Sequence, residues 1–549
     1  MLACAGLAAL AIGATPASAS VSSDPARAYV EARAAALSGD HARSAALLAA
    51  LAQAQPDQTD LARKALLEAL GAGQIDLALS VAGRLPAAKL PVEARLLLVS
   101  SEVRKRRIDR ALAWVQPGSG DSANLSFLIP LLTAWDLAER GDMDRALATI
   151  DAIPNNSLLA PLRNEEHALI LLKFRRTVDA EGYARRAIGS AGARENRLRL
   201  ALADGFLAAG DRDRALVMVD GMGSDAAAAR QRVLAGRTSG QAIDTPAEAL
   251  SEALTAFTTD LARLQRGAPQ IALGQVAKFA NPQNSSATML LALLMETQQR
   301  TDEALALLRT IPRDDALGSQ VRDVQVKILT ESKRLDEAFT VASAAAAARD
   351  ATINDLSRLG DVYLAMKRYN EAAASYSRAI ALANAQGLKS QLWPLLLLQA
   401  NAFEQADRWP ETKAALQQGL ALAPDQPLLL NFLGYSKLEH HEDLDAAEAM
   451  IRKASELAPD DASITDSLGW AQFKRGKVGE AILTLQTAAE KDPDQADIQE
   501  HLGDALFKAG RRYEARFAWN AALVTAEDDT AARVKAKLAS GLNPSNAAP

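Results

Sequence analysis

The chain reads as all-α, a right-handed solenoid of helical hairpins, and three observations carry that reading. Leu433-Gly434, Leu468-Gly469 and Leu502-Gly503 recur at spacings of 35 and 34 residues, each followed by a second helical pattern. Apolar residues fall at i, i+3, i+4 and i+7 almost everywhere, and β-branched runs of alternating polarity are absent. Apolar content is 49% over 549 residues with only 4% aromatics, which suits many thin helix-on-helix layers better than one thick core.

Within each C-terminal unit the small residues say where two helices touch. A glycine inside a helix costs roughly 1 kcal/mol relative to alanine, so one per first helix requires a close neighbour. Ala447, Ala481 and Ala515, with Ala454, Ala488 and Ala522 closing each unit, supply it from the second helix. Pro424, Pro459 and Pro493 stand at the unit boundaries, where a helix stops and the chain reverses. Small, small, stop at this pitch is the tetratricopeptide-type pattern.

The same period, degraded, runs back to the start. Residues 1–19 end in Ala17-Ser18-Ala19, a small-x-small cleavage site after an apolar stretch, and read as a signal peptide. Cleavage there removes Cys4, the one cysteine; an upstream start would instead make Cys4 a lipidation candidate. Asp24-Pro25 is a helix start. Residues 25–220 then read as degenerate hairpins with polar turns at Gly39-Asp40, Gly73-Gln74, Gly141-Asp142 and Gly210-Asp211. Residues 221–246, rich in Gly, Ser and Thr, read as a boundary segment between two superhelical stretches. Residues 247–353 continue as degenerate middle repeats and 354–523 as clear repeats. Residues 524–549 read as a polar capping helix followed by a frayed tail.

Charge and chemistry exclude several functions. With 61 basic and 67 acidic residues the net charge is −6, so nucleic acid is not an expected partner. The basic run Arg104 to Arg110 reads as a solvated turn. No later segment reaches the roughly 20 apolar residues that span a bilayer. The five histidines lack metal-ligand spacing; His440-His441-Glu442 has no His-x-x-x-His face and sits in a turn. No catalytic motif, metal site or cofactor site is expected, and the protein is read as a non-enzyme.

What remains is a surface. Asn431, Tyr435 and Leu438, then Asp466, Trp470 and Phe473, then Glu500, Asp504 and Phe507 are spaced i, i+4, i+7, so each trio shares one helix face. In a stack of this type that face lines the inner wall, where rings and carboxylates form a peptide groove with the rings as anchors. Trp470 and Phe473 serve equally well as interface core between neighbouring first helices, so both readings stay open. The carboxylates are expected in an open, wet groove, with ordinary acidity. Trp519 reads as packing.

Asn431-x-Leu433-Gly434-Tyr435, Asp466-Ser467-Leu468-Gly469-Trp470 and His501-Leu502-Gly503-Asp504, followed by Gly510-Arg511-Arg512, are more specific than a generic repeat. The stretch they occupy resembles the C-terminal repeats of bacterial envelope tetratricopeptide lipoproteins. That family includes an outer-membrane adaptor that binds a carboxyl-terminal processing protease and helps it degrade cell-wall hydrolases. The resemblance implies a periplasmic scaffold or adaptor for protein partners, anchored to the outer membrane if lipidated. The leader departs from the family's complete lipoprotein leader. The inner face also lacks the Lys, Asn and Arg of the carboxylate clamp, so an acidic peptide tail is not the expected ligand. An assembly or export factor for surface polysaccharide or outer-membrane proteins is the alternative, because aromatic rings also stack on sugars.

Overall fold

A computed structural model describes residues 24–116, 124–222, 226–263, 270–312, 314–349 and 351–548. Among them lie thirty α-helices and no strand. The expected signal peptide and Cys4 lie outside the described residues. No helix is long and apolar enough to cross a membrane among those described. The chain divides into two compact units, one up to Arg334 and one from Leu335 onward. The 221–246 segment is therefore internal to the first unit. The division falls instead between the two helices Gly318–Glu331 and Leu335–Ala346.

In the second unit the sequence pattern translates directly. The pairs Ile353–Ala365 with Tyr369–Ala385, Leu392–Gln405 with Trp409–Leu422, Pro427–Glu439 with Leu444–Leu457, Ala462–Lys474 with Val478–Lys491 and Ala496–Lys508 with Arg512–Thr525 each pack as a hairpin. Successive first helices also touch each other, Pro427–Glu439 on Ala462–Lys474 and that helix on Ala496–Lys508, so they form the inner layer. Gly503 shows why the first helices carry a glycine. A Cβ there would sit 2.3 Å from the Trp519 ring of the paired helix, well inside contact distance, so a side chain would force the hairpin apart. The extra residues near 383–392 are used both ways: the helix lengthens to Ala385, and a 3-10 turn at Lys389–Gln391 re-aims the chain.

The first unit begins as expected, with six hairpins from Pro25 to Asp220. Asp40, Asp142 and Asp211 cap the second helices of their hairpins by accepting the backbone N–H of Arg43, Arg145 and Arg214. The middle repeats then depart from a simple continuation. Helix Pro246–Arg263 packs on Val92–Arg104 and Ile129–Glu139, and Gln270–Ala280 packs on Thr59–Gly71 and Val92–Arg104. The chain thus turns back and fills the hollow of its own first hairpins. Enclosure is nearly complete: from Pro246 to Ala256 only Glu248 is partly exposed, and the buried polar groups are paired internally, Ser251 with the Ala277 carbonyl and Glu252 with Arg197 and Asn284. Where the returning helices leave space, an apolar cavity of about 600 Å³ remains, lined by Leu96, Phe127, Leu254, Phe257 and Leu273 among others. The strap before them is pinned by buried Asp204, which accepts the N–H groups of Ser239 at 2.6 Å and Gln241 at 2.8 Å.

Polar pairs lock this closure. Arg194 grips Glu165 with two bonds of 3.0 and 3.1 Å, and Arg197 pairs with Glu252 of the returning helix at 2.8 Å. Arg300 reaches the Gly71 carbonyl at 2.9 Å. Glu166, beside them, accepts the Trp135 indole N–H at 2.6 Å. Burial, reinforced by neighbouring Glu165, pushes its carboxyl up from the ordinary 4.5 to about 8, against the pull of the Trp135 N–H. A carboxyl whose folded value is raised stabilises fully below its unfolded value, and that contribution fades as pH rises through the folded one. The first unit should therefore lose on the order of a few kcal/mol between about pH 5 and about pH 8. Thermal melts at about pH 6 and about pH 9 measure this, and Glu166→Gln should flatten the difference.

Candidate functional site

The inner wall of the second unit is where the anticipated site residues meet, and the structure sorts them into three groups. Asn431 and Tyr435 on helix Pro427–Glu439 are half-buried. The Tyr435 hydroxyl is pushed up by burial and then by the carboxylates of Glu439, Asp466 and Asp497. The Asn431 side-chain carbonyl has no hydrogen-bond partner among the described residues.

The second group surrounds Trp470. Its ring is 1% exposed, stacked between Phe473 at 4.8 Å and His501 at 4.1 Å, with interplanar angles of 15° and 13°. Trp470 is thus packed as core between the first helices, while Phe473 stays half-buried. The indole N–H has no partner among the described residues. Asp466 accepts from His501 Nδ1 at 2.9 Å, and both are buried. Burial alone would lower the His501 value, but the adjacent carboxylate of Asp466 outweighs it and raises the imidazole.

The third group corrects the expectation of an open, wet groove. Glu500 is 1% exposed and Asp504 fully buried, because the capping helix Asp528–Ser540 lays its cations over them. Lys537, itself fully buried, bridges Glu500 at 2.6 Å and Asp504 at 2.7 Å, and Arg533 pairs with Glu500 at 2.9 Å. Asp504 also accepts the Trp519 indole N–H at 2.9 Å. Burial raises the Asp504 carboxyl despite Lys537. Glu500 falls below the ordinary range because its bonds to Arg533 and Lys537 outweigh its burial. Their acidity is thus set by enclosure and pairing, not by solvent. Phe507 is half-buried, tilted against Trp519 with centroids 5.4 Å apart.

The tail expected to fray is ordered. Gly541 takes φ +82° beside the Phe507 ring, where any Cβ would lie 2.8 Å from the ring edge, so only glycine makes this exit. Asn543 to Asn546 form a turn closed by Asn543 N–H to Asn546 Oδ1 at 2.8 Å and Ser545 N–H to Asn543 Oδ1 at 3.0 Å. Ala548 then donates its N–H to Asp504 at 3.2 Å and packs with Leu438, Trp470 and Ala471. The part of the inner wall around Trp470 and Asp504 is consequently covered by the chain itself. Sequence reasoning missed Lys537, Arg533, His501 and Ala548. The signal for the first two was present: Arg533 and Lys537 are i, i+4, the spacing of Glu500 and Asp504 opposite.

The solvated turn expected at His440-His441-Glu442 is also docked. His440 stacks on Trp409 at 4.6 Å, and Glu442 accepts the Trp409 indole N–H at 3.0 Å.

With this geometry in hand, the chain can be set beside known proteins. A family model described as TPR repeat matches residues 469–510. A TPR repeat-containing protein of Pseudomonas aeruginosa is 30% identical over 194 residues, 35% of this chain and 31% of that protein. The chain thus covers under a third of the relative it matches. Among solved structures, the Cut9-Hcn1 hetero-tetramer of the APC/C aligns over 95% of this chain and 97% of that one, at 14% identity and TM-score 0.36. A tetratricopeptide repeat protein from Parabacteroides merdae aligns over 47% of this chain and 99% of that one, at 12% identity and TM-score 0.39. The family model that matches describes a tetratricopeptide repeat, a type that generally serves as a non-catalytic scaffold.

Proposed function

We propose that this chain is a non-catalytic scaffold of the bacterial envelope that holds a protein partner against the inner wall of its C-terminal repeats. The observation that carries the reading is Asn431, half-buried on helix Pro427–Glu439, whose side-chain carbonyl has no hydrogen-bond partner among the described residues. Polar atoms of this kind are nearly always paired, so an acceptor left without a partner on a half-buried side chain suits a backbone N–H of a bound polypeptide. The partner class follows from the family resemblance of the last repeats: a processing protease, a cell-wall hydrolase, or their substrates. Export to the periplasm is part of the same proposal and rests on the apolar start with its Ala17-Ser18-Ala19 site.

Asn431→Ala provides the test. Because the Asn431 oxygen has no internal partner, its loss should leave folding nearly unchanged. Full-length protein immobilised in bacterial envelope extract should capture a partner that the variant captures about tenfold less, a loss of roughly 1.4 kcal/mol. Equal capture by both proteins, or none above background, would overturn the reading.

A further inference from the structure

We propose that residues 541–548 are an internal occupant of a docking surface on the last repeats, and that a partner segment of the same chemistry displaces them. That chemistry is an uncharged turn followed by a small side chain. The inference rests on the interaction reading above but on a different observation: the surface is already filled by polypeptide.

The contacts define what fits. The segment Gly-Leu-Asn-Pro-Ser-Asn-Ala-Ala carries no charged side chain, in keeping with a seat that already holds Asp466, Glu500 and Asp504 in internal pairs. Its turn is closed almost entirely by its own bonds, including Asn546 Nδ2 to the Gly541 carbonyl at 2.9 Å. Only Ala548 reaches a buried hydrogen-bond acceptor on the wall, at Asp504. A methyl fills the gap beside Trp470 and Ala471, and a larger side chain would collide there. Such a plug is held locally, by one charge-assisted N–H, the Ala548 methyl and the half-buried Leu542 against the cluster around Trp519. It wins chiefly because its tether is short, which gives it an effective concentration on the order of millimolar.

Two variants of the full chain test this: one ending at Ser540, and Ala548→Glu, which sets a carboxylate against Asp504 and expels the plug. The probe is a fluorescently labelled peptide spanning Gly541 to Ala548. It should bind both variants at least tenfold more tightly than the parent chain, whose own tail competes. Equal binding to all three proteins, with helical circular dichroism intact, overturns the proposal. So does loss of the second unit's melting transition in both variants, which would make the tail an integral part of the fold. A dimer that forms only with the tail present would assign the surface to a second copy. Asn431→Ala leaves the plug contacts intact, so failure here and failure of the scaffold reading are read separately.

Discussion

Replacing Lys537 with alanine should destabilise the C-terminal repeats by about 3–5 kcal/mol, the cost of leaving buried charges without their partner. The ammonium is fully buried and bridges two buried carboxylates, Glu500 at 2.6 Å and Asp504 at 2.7 Å. Arg533 remains on Glu500 in the variant, but Asp504 keeps only the Trp519 and Ala548 N–H groups. Urea denaturation followed by tryptophan fluorescence measures the loss. The control is informative: Lys537→Met combined with Glu500→Gln and Asp504→Asn removes the charges together and should recover most of the stability. A Lys537→Ala protein that denatures with the parent would show that the bridge contributes nothing.

Trp470→Ala should cost a similar amount, about 3–5 kcal/mol, because it opens a cavity in a stacked and enclosed site. The ring stacks with Phe473 and His501 and packs with Ala548. Loss of the ring also removes the floor of the tail's seat, so the variant should bind the tail peptide weakly even after truncation at Ser540. A thermal melt of the variant that coincides with the parent's would show that the buried ring contributes nothing to stability.

The hairpins themselves were legible because their determinants are local. Helix period, Gly-Ala contacts, prolines and Asp caps all act within one 34-residue unit, and the helices from Pro25 to Ser540 follow them. The shared face of Asp466, Trp470 and Phe473 was legible for the same reason. What the sequence left open depends on partners distant in the chain. The identity of the groups over Glu500 and Asp504 required knowing how the capping helix would lie, and helix spacing narrows that choice without making it. Ala548 offers no signal at all, since a small residue near an uncharged end looks the same packed or frayed. The inward return of Pro246–Arg263 was readable in part. Ala247, Ala249, Leu250, Ala253 and Leu254 are small or apolar, as enclosure requires, but the partners of Glu252, Arg197 and Asn284, lie far away in the chain.

That return has a consequence for how the first unit comes into being. In a simple repeat array each hairpin is completed by its neighbour, so an emerging chain covers its apolar surface as it grows. Here the Thr59–Gly71 helix waits for a partner that includes Arg300, 229 residues later. At the about 5–20 residues per second of synthesis, that interval is on the order of ten seconds or more. During it the early hairpins expose the lining their closing helices will hide. The nascent first unit is therefore open to association through that lining, and truncations that stop before Gln270 should yield aggregates instead of shorter solenoids.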